Sequence, residues 1–129
     1  QQNNNIQVVI LTSPDNFKKT GQKVKEMGLD YVEMSYKTHT ILTVAAIINQ
    51  LDLIITPDTS IVHIASAFNK PLVTIHENNQ DSYLLFSPVS KLHRTVFSKS
   101  KNSLNGFSLN LLLDYCFELI KLNKKVEHE

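Results

Sequence analysis

Five short apolar runs separated by stretches of helical character restrict the architectures open to this chain. Residues 6–11, 31–36, 51–56 and 72–75 read as strands, with 94–98 a candidate fifth, and they begin about 20 to 25 residues apart. Between them lie the helical segments 16–27, 38–49 and 60–68, and residues 109–122 form a closing helix. Strands that alternate with helices at this spacing build a parallel sheet covered by helices, the doubly wound Rossmann-like α/β class. Leu53-Ile54-Ile55 is apolar without alternation, as expected of a strand covered on both faces. Gly28 suits the left-handed residue that closes the first helix. Residues 78–90 read as irregular, and 99–106 as the least ordered stretch.

With 129 residues the chain has the size of one ordinary domain, large enough for a core without disulfides or metals. A net charge of +1 gives no electrostatic footprint for nucleic acid. The densest basic run, 121–125, reads as a solvated helix end. The single cysteine, Cys116, excludes a disulfide framework and reads as a small core residue. No apolar run reaches the roughly 18 residues of a membrane span. The start, Gln1-Gln2-Asn3-Asn4-Asn5, is unlike a signal peptide and reads as a frayed start or a cut linker.

In open parallel sheets, ligands bind beyond the carboxyl ends of the strands. Three such ends are polar here: 12–16, 36–40 and 56–60. Together they could line one rim. The third carries the strongest signal. Pro57 stops the strand, and Asp58, Thr59 and Ser60 can each cap a helix. The helix that follows is small and apolar, so it must lie on the sheet. Its first-turn N–H groups have no partner within the helix, and an anion there is stabilised by about 0.3–1 kcal/mol, up to ~2 when partly buried. His63, placed in that first turn, adds a ring N–H. The same residues also serve as an ordinary helix cap with a structural histidine, and the motif alone leaves both readings open.

Asp52-Leu53-Ile54-Ile55-Thr56-Pro57-Asp58-Thr59-Ser60-Ile61-Val62-His63-Ile64-Ala65-Ser66-Ala67, then Lys70-Pro71-Leu72-Val73, closely resembles the C-terminal domain of heptosyltransferases, the inverting glycosyltransferases of family nine. Tyr31-Val32-Glu33 and the helix from Thr40 through Val44-Ala45 look like that family too, so the resemblance covers residues 6–120. It implies the donor half of a B-type glycosyltransferase that moves a sugar, heptose or a related one, from a nucleotide-diphosphate sugar to an acceptor of the lipopolysaccharide-core type. Asp58, Thr59, Ser60, Ile61, Val62 and His63 would then hold the diphosphate. Asp15 or Asn16 would bond the ribose hydroxyls, with a helix cap as the alternative. His39 would stack on the base, with a solvated loop histidine as the alternative. Asn78 and Asn79 suit sugar hydroxyls. No cofactor and no metal is implied, and the substrate is ADP-heptose-like. The resemblance places the enzyme in the bacterial cytoplasm, at the inner face of the inner membrane. The acceptor domain, with the general base, any peripheral membrane contact and the first strand of this domain, is expected to precede Gln1. This chain alone is therefore expected to be inactive.

Two positions depart from the family pattern. Ser60 stands where the family has glycine, which matters if the backbone there is left-handed. His76-Glu77-Asn78-Asn79 stands where the family has Gly-Pro-Thr after the fourth strand, the region of sugar recognition. The competing reading is a non-catalytic flavodoxin-like binding or interaction module. A receiver would need acidic residues at the end of the first strand, where Thr12-Ser13-Pro14 stands. A dinucleotide fold would need a Gly-x-Gly-x-x-Gly turn that Gly21, Gly28 and Gly106 do not form, and a nucleophilic hydrolase would need a Gly-x-Ser-x-Gly turn.

Overall fold

A computed structural model describes residues 6–57, 59–86, 88 and 90–127, of which 59, 82, 85, 86, 126 and 127 are described in backbone only. Strands and helices alternate throughout, and every strand pair is parallel. The chain divides into two compact units, Gln1–Val44 and Ala45–Glu129.

In the first unit, β1 (Val8–Ile10) pairs with β2 (Val32–Met34) in the register Val8 to Val32 and Ile10 to Met34. Between them a single 3₁₀ turn, Pro14–Asn16, leads into α1 (Phe17–Met27). Gly28 closes α1 at φ 62°, the left-handed conformation expected from the sequence, and its N–H bonds the Lys25 carbonyl. Helix α2 (Ile41–Gln50) begins in this unit and ends in the second. Thr40 caps it, its Oγ1 accepting the Thr43 N–H at 3.2 Å.

The second unit carries three parallel strands in the order β3 (Ile54–Thr56), β4 (Leu72–His76), β5 (His93–Phe97). Each neighbouring pair is joined by one crossover helix: α3 (Thr59–Ala67) between β3 and β4, α4 (Gln80–Phe86) between β4 and β5. The closing helix is α5 (Leu109–Glu127). Val73 and Val96 turn one way from the sheet and form a core with Leu112, Cys116 and Leu119 of α5. Leu72 and Thr74, one residue out of step with Val73, turn the other way, together with their register partners Ile54 and Thr56. Ile54, Thr56, Leu72 and Thr74 are all buried, as are Val62 and Ala65 of α3, which packs on β3 and β4. Arg94 Nε reaches Glu118 Oε1 at 2.6 Å, tying β5 to α5 at the surface.

Four features differ from the sequence reading. The strands pair in two parallel sheets instead of one. Ile55 is 51% exposed, so β3 is not covered on both faces; α5 packs on β4 and β5, and Ile55 lies one strand beyond them. Within 78–90 there is a helix, α4, opened by the Asn79 carbonyl, which accepts the Tyr83 N–H at 3.0 Å. Its single turn of apolar residues is too short to show helical periodicity. The stretch 99–106 is held by turns: Lys99 N–H bonds the Asn105 carbonyl, and Ser98 Oγ lies 2.8 Å from the Ser100 oxygen and 2.6 Å from that of Ser103.

Cys116 is a core residue as expected, and burial pushes its thiol up from 9.0 to about 11. Native Cys116 should resist iodoacetamide at pH 8 and be labelled once urea unfolds the chain. The raised value also sets a sign: its stabilising contribution is complete below 9.0 and lost as pH rises through about 11. A loss of stability on acidification traced to this thiol would contradict that. Leu119→Ala, at a site with no exposed surface, should cost about 2–5 kcal/mol in urea unfolding, whereas Leu113→Ala on the outer face of α5 should cost under about 1 kcal/mol.

Candidate functional site

In a parallel sheet joined by crossover helices every strand ends on the same edge, and every following helix starts there. In the second unit that edge carries the turn after β3, the start of α3 and the turn after β4. Strand β3 stops at Thr56, whose register partner is Thr74, and Pro57 follows with no N–H to continue the ladder. Helix α3 opens at Thr59. Of the residues expected at the diphosphate, Thr59, Ser60, Ile61 and Val62 form its first four positions, and Asp58 lies outside the described residues. The helix supplies no acceptor of its own for the N–H groups of these positions. Val62 and Ala65 are buried and fix the helix on the sheet, while Ser60 and His63 are exposed. His63 opens the second turn instead of lying in the first.

The serine that replaces glycine at position 60 carries no backbone strain. Ser60 is helical, and Asn69 is the one non-glycine residue with positive φ among the described residues. Asn69, at φ 52°, ends α3 instead: its N–H bonds the Ser66 carbonyl, the Lys70 N–H bonds that of Ala65, and its Oδ1 accepts the Lys91 N–H. The length and direction of α3 are thus fixed at its far end.

The turn after β4 is built around one carbonyl. Glu77 O accepts the Asn79 N–H at 2.7 Å and the His76 Nδ1–H at 2.8 Å. Asn78 N–H bonds the Ser100 carbonyl and the His76 carbonyl accepts the Ser98 N–H, which ties the turn to the segment after β5. Asn78 is exposed and Asn79 half-buried, both at the carboxyl edge that also carries the start of α3. The reading of the sequence missed the side-chain layer below them. Thr74 and Thr95 share a hydrogen bond at 2.8 Å, and Thr95 Oγ1 donates to Tyr83 Oη at 3.2 Å. Tyr83 meets His76 and Phe97 edge-on, with centroids 5.5 and 5.1 Å apart. The signal that could have found it is the alternation Thr74-x-His76 against Thr95-x-Phe97, one polar and one ring layer across the pair.

The expected nucleoside contacts lie in the first unit. Asp15 and Asn16 belong to the exposed 3₁₀ turn after β1. Neither cap position before α1 makes a side-chain capping bond; Asn16 Nδ2 donates to Ser13 Oγ at 3.2 Å. His39 is exposed in the segment between β2 and α2.

The sequence model described as glycosyltransferase family 9 (heptosyltransferase) matches residues 1–109. That span contains both units' strands and the whole of the β3–α3–β4 segment. No curated protein and no solved structure matches the chain.

Tyr83→Phe should lower stability by about 0.5–1.5 kcal/mol through the lost bond to Thr95. Tyr83→Ala, which removes the ring between His76 and Phe97, should lower it by about 2 kcal/mol or more. Thermal unfolding of the two variants checks the order; equal losses would mean that the ring contacts contribute nothing.

Proposed function

Because the chain belongs to glycosyltransferase family 9, the heptosyltransferase family, we propose that it is the donor-binding domain of an inverting glycosyltransferase. In this reading it moves a heptose or related sugar from an ADP-heptose-like nucleotide-sugar to an acceptor of the lipopolysaccharide-core type. The observation that carries the proposal is the strand–Pro57–helix junction, which sets the first turn of a packed α3 at the carboxyl edge of parallel strands. The N–H groups of Thr59 to Val62, the ring of His63 and Asp58 hold the diphosphate. Asn78 and Asn79 meet the sugar.

The chemistry follows from charge. As the glycosidic bond breaks, the leaving diphosphate gains negative charge, and fixed donors stabilise it more in the transition state than in the ground state. Ionic contacts with a metal are not needed for that stabilisation. In this reading the chain supplies the donor site, and the general base of the inverting step belongs to the acceptor side of the enzyme. No helix among the described residues is long and apolar enough to cross a membrane, and the reading places the enzyme in the bacterial cytoplasm at the inner membrane face.

Titration of the ¹⁵N-labelled chain with ADP, UDP and GDP at millimolar concentration tests the site. ADP should shift the amide signals of residues 59–63, and His63→Ala should weaken ADP binding about tenfold, as expected for a lost bond to a charged oxygen. Spectra unmoved by all three nucleotides would rule the proposal out.

A further inference from the structure

His76 occupies a position to which the reading above gives no role. It is the last residue of β4, two beyond Thr74, and so turns to the same face as Thr56 and Thr74, the face on which α3 packs. Thr56 ends β3 level with Thr74, so His76 stands past the end of β3, at the edge where α3 begins.

Its ring is held from several sides. Tyr83 meets it edge-on at 5.5 Å and Phe97 at 6.3 Å, and Tyr83 is itself tied through Thr95 to Thr74. Nδ1 lies 2.8 Å from the Glu77 carbonyl oxygen. A carbonyl only accepts, so Nδ1 carries the proton of that bond. In the neutral ring Nε2 then holds a lone pair and can only accept. No described residue bonds Nε2, and the half-buried ring leaves that atom open to solvent.

Resting on the donor-binding reading, we propose that His76 is a specificity-determining residue whose Nε2 accepts a hydrogen bond from a hydroxyl of the sugar carried by the nucleotide. A fixed lone pair discriminates between the two halves of such a ligand. A diphosphate offers only acceptors and is repelled by it, whereas a sugar offers hydroxyl donors in several directions. The α3 turn presents the opposite set, N–H donors. The junction between the two elements therefore has a sense: phosphate over α3, hydroxyls over the end of β4.

Two measurements test this. Two-bond ¹H–¹⁵N spectra of the free chain should show His76 as the Nδ1–H tautomer; an Nε2–H tautomer would overturn the proposal without any ligand. Calorimetric affinities for ADP and ADP-glucose should then be compared in the wild type, His76→Phe and His76→Gln. Phe keeps a ring against Tyr83 and Phe97 and lacks the acceptor, whereas the Gln amide oxygen replaces it. The preference for ADP-glucose over ADP should fall about fivefold in His76→Phe, the worth of one hydrogen bond, and return in His76→Gln. An unchanged preference in His76→Phe would sink this inference and leave the diphosphate site standing. A wild type that binds neither ligand would sink both.

Discussion

The parallel pairing of β3, β4 and β5 is the constraint from which the rest of the second unit follows. Register partners Thr56 and Thr74, and His76 and Phe97, put the ends of three strands on one edge. Right-handed crossovers then start each following helix at that edge. The polar turns after β3 and β4 are brought together by backbone geometry alone, although about 20 residues separate them in sequence. Burial supplies the rigidity. Leu72 and Val73 face opposite ways and are both fully buried, so β4 can neither slide nor turn without exposing one of them.

Much of this order can be read from residue types. The β-branched and apolar runs locate the strands because such residues fit a pleated, partly buried surface, and β4, central in its sheet, has no solvent face to mark with polar residues. Gly28 locates the end of α1 because a left-handed residue is needed there, and Pro57 locates the end of β3 because it cannot donate to the ladder. The start of α3 is located by polar capping residues followed by Ala65 and Ser66, small enough for the helix to press against the sheet. The family resemblance rests on the same segment, and the family match covers it.

What the sequence hides is decided by tertiary neighbours. Ile55 reads as buried because its chemistry matches that of Ile54, yet α5 lies over β4 and β5 and leaves it open. Helix α4 has too few turns to generate a periodic signal, and its start depends on one carbonyl at Asn79. The ring layer of His76, Tyr83 and Phe97 joins residues from two strands and a helix, and the alternation in β4 and β5 acquires meaning only through their register. The segment 99–106 looks loose by composition, but Ser98 ties it down with a single hydroxyl between two carbonyls. Gly106 has its own reason to be glycine: φ is 82°, and a Cβ there would meet the Lys99 side chain at 3.1 Å.

The two departures from the family pattern have opposite physical weight. Ser60 sits in regular helix, so replacing glycine there leaves the N–H groups of α3 in place and adds a hydroxyl to the same edge. The His76-Glu77-Asn78-Asn79 turn changes the chemistry of its edge more deeply. Its backbone is closed on itself, with the Glu77 carbonyl taking two bonds, while Glu77 is half-buried and Asn78 exposed. The Glu77 carboxylate, beside a histidine lone pair, adds acceptors to that edge, and the Asn78 carboxamide offers both donors and an acceptor. Such a set disfavours a second phosphate and favours a group that donates many hydrogen bonds. A polyhydroxylated sugar would meet that demand, and under the proposed function its phosphate-bearing end would lie toward the donors of α3. On the proposed reading, binding the diphosphate and orienting the sugar reduce to one electrostatic contrast between two neighbouring turns, donors on one and acceptors on the other.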